Sequence, residues 1–309
     1  MEKQIVILGS NSSEYGDGVL MQDGRIFCIP FNAPKARIFD LDDLTSMGTA
    51  LEIRIKGSYI NGMLMSDGNI FLPPYNASRA VIYNTISHRV FETSLKINTL
   101  GAYAGATQLP DGKIFVLAAN EDNCCVYDPI TDTSEIANLK TFAYRNNFID
   151  SILLPDGRVF CIPFNASRAR IYDAKLDFAF TSPQININLG YISALNLPDN
   201  EVFLLPNNMT EAKIFNCKTN DIFVTSLNGE ASKFIGCSFL PDNKNLIFCL
   251  GWKNLDARIY DWSKDLTYPV KLHYEQQTDN DYSVVHKSWL DGATIYEIKY
   301  FTFDEKALT

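Results

Sequence analysis

Three histidines, His88, His273 and His286, are the chain's whole supply of imidazole, and no two stand at metal-ligand spacing. No Gly-x-Ser-x-Gly elbow, phosphate-cradling glycine loop or dinucleotide fingerprint occurs. Asp40, Asp42 and Asp43 crowd one short stretch and could face a hard cation, but they lack a full set of oxygen ligands. His286, followed by Lys287 and preceded by Asp279 and Asp281, is the titratable group most out of keeping with its surroundings. These residues assign no catalytic group, no metal and no cofactor.

Composition narrows the partners. The 309 residues carry 27 Lys and Arg against 36 Asp and Glu, a net charge of −9. Nucleic-acid and anionic-membrane binding rest on clustered positive charge. No basic run occurs here, so the expectation is no nucleic acid and no membrane. No apolar run approaches the ~18 residues of a membrane span, and Met1–Gly9 is too short for a secretory signal. The expected setting is soluble, either cytoplasmic or assembled into a particle. Seven cysteines, with Cys124 and Cys125 adjacent and Cys28, Cys161 and Cys249 at one recurring place, read as small apolar residues in a reducing compartment.

The elements that must position these residues come from a repeat. Asp-Gly or Asp-Asn pairs begin at Asp23, Asp67, Asp111, Asp156, Asp199, Asp242 and Asp291, with spacings of 44, 44, 45, 43, 43 and 49. A strand-like run follows each pair, as in Arg25-Ile26-Phe27-Cys28-Ile29 and Arg158-Val159-Phe160-Cys161-Ile162. A second run follows a polar loop, as in Ala36-Arg37-Ile38-Phe39-Asp40 and Ala257-Arg258-Ile259-Tyr260-Asp261. Asp-Gly between apolar runs is a hairpin signal in which both central residues take positive φ. Each unit therefore reads as strand a, tight turn, strand b, polar loop, strand c, turn and a weaker strand d. Four strands in ~40–45 residues is one blade of a β-propeller. No segment shows sustained helical periodicity.

The chain ends agree with closure. Seventeen residues follow Asp291-Gly292, enough for strand b (Ala293–Ile298) and strand c (Lys299–Phe303) but not strand d. The N-terminal strand, about residues 3–9, would supply strand d of the C-terminal blade, about residues 283–304, leaving no long open edge. The expected architecture is all-β: one seven-bladed β-propeller domain, residues 1–309, with four-stranded antiparallel blades. On the pattern from Leu154-Pro155-Asp156-Gly157 through Ile171-Tyr172-Asp173, the chain resembles the kelch-like and related seven-bladed propellers. The kelch Gly-Gly pair is absent, with Ile162-Pro163 or Leu72-Pro73 in its place, and no Trp-Asp pair occurs.

In a propeller the d–a and b–c loops share one face, and the short a–b and c–d turns the other. Function concentrates in longer, more varied loops. Eight residues before the recurring Asp stand Tyr15, Tyr59, Tyr103, Phe148, Tyr191 and Phe234, with Tyr282 near the seventh place. These aromatics either wedge between blades as core, or form an amphipathic ring for a peptide or carbohydrate. Five residues before the Asp stand Gly18, Gly62, Ala106, Ser151, Ala194 and Cys237, small where strands crowd; His286 takes the seventh place. In the b–c loops, Lys35, Arg79 and Arg168 could form a basic cluster, or a solvated rim. Asn76, Asn165, Asn208 and Asn11 begin N-x-S/T triplets, read as turn chemistry. A residue present in every unit is sufficiently explained by folding, so departures such as Trp252 rank higher as candidates.

The function expected is a non-enzymatic binding or scaffold propeller that recognises a protein, peptide or glycan on its d–a/b–c face. Two alternatives stand beside it: a structural component of a virion or surface assembly, and a propeller enzyme of lyase or glycosidase type with its site in the central channel.

Overall fold

The computed structural model describes residues 15–40, 45–140, 147–185, 190–228, 234–240, 243–251 and 257–270, together with the backbone of Ile5–Leu8, Glu275–Gln276, Tyr282–Ser283, Val285–Leu290 and Ala293–Ile298. Six four-stranded antiparallel sheets follow one another along the chain. The first comprises Tyr15–Leu20, Ile26–Pro30, Lys35–Phe39 and Ser46–Glu52; the second Met63–Leu64, Ile70–Leu72, Arg79–Tyr83 and Val90–Lys96. The third comprises Tyr103–Gln108, Ile114–Ala118, Asn123–Asp128 and Thr133–Lys140; the fourth Phe148–Leu153, Val159–Pro163, Arg170–Asp173 and Phe178–Thr181. The fifth holds Tyr191–Asn196, Glu201–Pro206, Glu211–Asn216 and Ile222–Asn228, and the sixth Phe234–Leu240, Asn243–Gly251, Ala257–Asp261 and Leu266–Val270. These are strands a to d of six repeats. Among the described residues the only helical turn is Pro198–Asn200.

The chain forms two compact units, one of Ser10–Asn188 with Leu290–Ala293, the other of Met1–Gly9, Leu189–Trp289 and Thr294–Thr309. The first four sheets lie in the former and the fifth and sixth in the latter. A three-stranded sheet has the order Ile5–Leu8, Ala293–Ile298, Val285–Leu290. The N-terminal strand is thus in the third place, pairing directly with strand b (Ile5 opposite Ile298, Leu8 opposite Ile295), and not in the fourth as expected. That antiparallel ladder satisfies its backbone groups without an intervening strand. Lys299–Phe303, expected as strand c, lies outside the described residues.

The Asp-Gly turns differ from the expected pair of positive-φ residues. In the first four sheets only the glycines, Gly24, Gly68, Gly112 and Gly157, are left-handed, at φ of 84 to 89°. Each glycine N–H closes a turn on the carbonyl three residues earlier, as from Gly24 to Met21 at 3.1 Å. The Asp carboxylate accepts the N–H two residues on: Arg25 to Asp23 at 3.1 Å and Lys113 to Asp111 at 3.1 Å. Aspartate is favoured here as an acceptor for turn amides, and only the glycine needs positive φ. In the fifth sheet, Asp199 and Asn200 both take positive φ, near 60°.

Strand b is the centre of each sheet and is almost wholly buried. Its phenylalanine reaches the strand-c tyrosine of the next sheet: Phe27 to Tyr83 at 4.7 Å, Phe71 to Tyr127 at 5.5 Å, Phe115 to Tyr172 at 5.0 Å, and in the other unit Phe203 to Tyr260 at 5.4 Å. That contact accounts for the recurring Phe and Tyr. The c–d turn adds a polar clip. Asp132, at φ 53°, accepts the Tyr127 hydroxyl at 2.8 Å and the Ser94 N–H of the preceding sheet at 2.7 Å. Asp177 accepts Tyr172 and Asn138 in the same way, and Asp265 accepts Tyr260 and Ser226. His88 stands in this place in the second sheet, its Nδ1 2.7 Å from the Tyr83 hydroxyl.

The cysteines are all free. Burial pushes the Cys28, Cys124, Cys125 and Cys237 thiols up to about 12, which keeps them as unreactive core groups.

Candidate functional site

The recurring aromatics lie inside the sheets. Tyr15, Tyr59, Tyr103, Phe148, Tyr191 and Phe234 are 0 to 7% exposed. The Tyr59 hydroxyl donates to the Arg79 carbonyl at 3.4 Å, and the Tyr103 hydroxyl accepts from the Cys125 thiol at 3.9 Å. Their ring faces are covered by core, so these six do not form an open platform. Arg79 is spent on its own sheet, donating to the Thr93 carbonyl at 3.3 Å and pairing with Glu92 at 3.5 Å. Arg168 donates to the Ser182 carbonyl at 2.9 Å, and Lys35 pairs with Glu52 at 3.6 Å. Lys35 and Arg79 bridge strand c to strand d of their own sheets, and Arg168 joins the segments flanking those strands, which opposes their gathering into one basic cluster. The side chains of Tyr282 and His286, and Trp252 altogether, lie outside the described residues.

The b–c loop asparagines are stitched into backbone. Asn32 Oδ1 accepts the Gly57 N–H at 3.0 Å, and Asn76 Oδ1 accepts the Gly101 N–H at 2.8 Å while its Nδ2 donates to the Lys56 carbonyl at 3.2 Å. Gly57 and Gly101 take φ near +70°, and a Cβ at either would meet the asparagine side chain of a following loop.

A different set of residues converges on the first strands. In five of the six sheets strand a carries a register shift just after the recurring aromatic. Tyr15 lies opposite Pro30 and Gly18 opposite Cys28, so one extra residue is accommodated on strand a. The same shift follows Tyr103, Phe148, Tyr191 and Phe234. Such a bulge breaks the alternation of side chains and re-aims one of them. The position six before the recurring Asp falls here. It holds Asp17, Asn61, Gly105 and Asp150 in the first unit, and Ser193 and Gly236 in the second.

In the first unit these residues meet. Asp150 accepts a hydrogen bond from the Asn61 side chain and from the Ser151 N–H at 2.7 Å. Asp17 accepts the Gly18 N–H at 2.8 Å and feels the charge of Asp150. Gly105 lies between, and a Cβ there would collide with Asp150 Oδ1. The glycine thus makes room for the carboxylate to lean across. Nearby, the buried Thr107 and Ser151 hydroxyls join at 2.7 Å and tie the third first strand to the fourth.

Burial raises the Asp17 carboxyl from 3.8 to about 7; the Gly18 amide opposes this and the Asp150 charge adds to it. Asp17 keeps exposed surface but is enclosed by dense protein, and the enclosure sets the direction. Burial raises Asp150 less, to about 6, because Ser151 and Asn61 hydrogen-bond its charged form. Near neutrality the pair can therefore hold one proton, with Asp17 a donor and Asp150 an acceptor, while Asn61 can do both. Among the described residues no three His, Cys, Asp or Glu side chains converge as metal ligands would, and no helix is long and apolar enough to cross a membrane.

Spacing alone misses this cluster, because a period-two reading of strand a cannot place a bulge. Its signal in the sequence is a polar residue, Asp17, Asn61 and Asp150, three times at one repeat position otherwise held by small or apolar residues.

The sheets and their solved counterparts define a β-propeller. No protein-family model matches the chain, and no curated protein matches it in sequence. It is similar in structure to a streptogramin B lyase (TM-score 0.70, 12% identity, 97% of each chain covered) and to virginiamycin B lyase from Staphylococcus aureus (TM-score 0.65, 11% identity, 90% of this chain and 89% of that one). The extracellular domain of a putative hybrid two-component system, BT4673, from B. thetaiotaomicron is also similar (TM-score 0.67, 12% identity, 97% of this chain and 40% of that one). These likenesses show the fold alone. They are to lyase and receptor propellers, which corrects the kelch-like expectation.

Proposed function

We propose that this chain is a binding propeller of seven units that engages its ligand through the inner cluster of Asp17, Asn61 and Asp150, and that the ligand is a hydroxyl-rich group such as a glycan. The observation that carries this reading is that two carboxylates on bulged first strands, Asp17 and Asp150, feel one another's charge while the Asn61 amide bonds Asp150, which offers a proton donor, an acceptor and a dual group near neutral pH. Sugar hydroxyls both donate and accept, and this set matches them. The outer candidates support the shift of site, since Arg79 and Arg168 are engaged within their own sheets and the aromatics are covered. The test is a glycan-array screen followed by calorimetric titration of the best binder. Asp150→Asn should weaken binding at least tenfold while the protein still folds cooperatively; unchanged affinity would overturn the reading.

A second reading, general acid–base catalysis, is favoured by the separation of the two carboxyls to about 7 and about 6. Turnover of a bound glycan that is lost in both Asp17→Asn and Asp150→Asn would replace the binding reading with the enzymatic one.

A further inference from the structure

Asn61 is followed by Gly62, one of two Asn-Gly pairs in the chain; the other is Asn228-Gly229. The space at 62 is tight, since a Cβ there would lie 3.0 Å from Ile29 Cδ1 and 3.3 Å from the Phe71 carbonyl oxygen. The pair also sits where the sheet is weakest. Strand a spans six or seven residues in the other five sheets but only Met63–Leu64 in the second, so Asn61 and Gly62 precede its ladder. The Gly62 N–H is held by the Asn61 side chain itself, at 2.7 Å from Oδ1. The amide nitrogen is thus folded against the side-chain carbonyl of its own predecessor. Asn61 is half-buried, so water reaches it.

We propose that Asn61 is a deamidation site of the folded protein, and that its modification adds a third carboxylate to the inner cluster. The Gly62 nitrogen attacks Asn61 Cγ; the N–Cγ bond forms and the Cγ–Nδ2 bond breaks. The proton lost by the Gly62 nitrogen leaves with Nδ2 as ammonia. Water then opens the cyclic imide at either carbonyl, giving aspartate or isoaspartate at 61. The absence of a side chain at 62 leaves the attack unhindered, and a backbone outside the ladder can turn to make it. The product removes the amide that donates to Asp150 and sets a new negative charge beside Asp150. The isoaspartate form also lengthens the backbone by one atom just before a strand of two residues. This inference rests on local geometry and stands apart from the nature of the ligand.

The experiment uses the wild-type full chain, incubated in mildly alkaline buffer folded and, in parallel, unfolded in urea. Peptide mapping by mass spectrometry follows the amide-to-acid mass gain at Asn61 and Asn228, and chromatography separates aspartate from isoaspartate. The expected result is conversion of Asn61 in the folded protein within an order of magnitude of its rate in the unfolded chain. An Asn61→Gln variant should lose that mass gain. An Asn61 peptide that stays unmodified in the folded protein while the unfolded chain converts would overturn the proposal, as would conversion confined to Asn228.

Discussion

The c–d turns and the bulged position of strand a both recur from sheet to sheet, and they behave in opposite ways. At the turn of the third, fourth and sixth sheets the same carboxylate, Asp132, Asp177 or Asp265, makes the same two contacts, one to its own sheet's tyrosine and one to the preceding sheet's backbone, while His88 and Asn220 hold that place in the second and fifth. At the bulge the backbone device repeats while the residue changes, from Asp17 to Gly105 to Asp150 to Ser193 to Gly236. A contact that joins one sheet to the next constrains its residue. A side chain re-aimed out of the ladder by a bulge is released from that constraint. The carboxylate shared by three turns therefore marks folding, and variety at the bulge marks the place where a function can be written.

The comparison breaks if the uniform contacts prove dispensable or the varied ones prove structural. The largest effect is expected from Phe115→Ala. Phe115 is fully buried and stacked on Tyr172, so its loss should cost about 3–5 kcal/mol in denaturant unfolding. Asp132→Ala should cost about 2 kcal/mol, by stripping partners from the Tyr127 hydroxyl and the Ser94 amide. The Ser94 amide, more than any other group, holds the Asp132 carboxyl below its ordinary value. Its contribution is complete above that ordinary value and is lost as pH falls through the lower folded one, so the variant's deficit should shrink in acid.

Asp17→Asn should act with the other sign. The folded protein holds the Asp17 proton up to about 7, whereas an ordinary carboxyl gives it up near 3.8. Wild-type stability contributed by this group is complete below the ordinary value and drains away as pH rises through that window. The variant, with nothing to ionise, should lose less on going from acid to alkaline buffer, and melt above wild type once the pH exceeds the window. A melting temperature that tracks wild type at every pH would place Asp17 among inert surface carboxylates. The smallest effect is expected from Arg79→Ala, below about 1 kcal/mol, since its ion pair with Glu92 is solvated.

Much of this fold was legible in the residues. The Asp-Gly punctuation and the Phe and Tyr runs mark strands a, b and c because a turn amide needs an acceptor and a sheet centre needs apolar side chains. Three things were hidden. The Asp-Gly pair takes positive φ only at glycine, because the turn begins one residue earlier than a two-residue hairpin centred on that pair would. The N-terminal strand lies beside Ala293–Ile298, since pairing partners are chosen by space and not by the order of repeats. The candidate site escaped because the count that finds Tyr15 and Gly18 steps over Asp17 between them, and only the extra residue on strand a shows which way that side chain turns.

The Phe-to-Tyr stacks have one more consequence. The second and third sheets each present a phenylalanine to their successor and a tyrosine to their predecessor, so each carries both a plug and a socket of one gauge. A duplicated stretch of one repeat, inserted in frame at a polar loop, would arrive with both couplings already made. Growth of such a chain by tandem copying needs no new core to be invented, and the copies are then free to diverge at the one inward position that the couplings do not use.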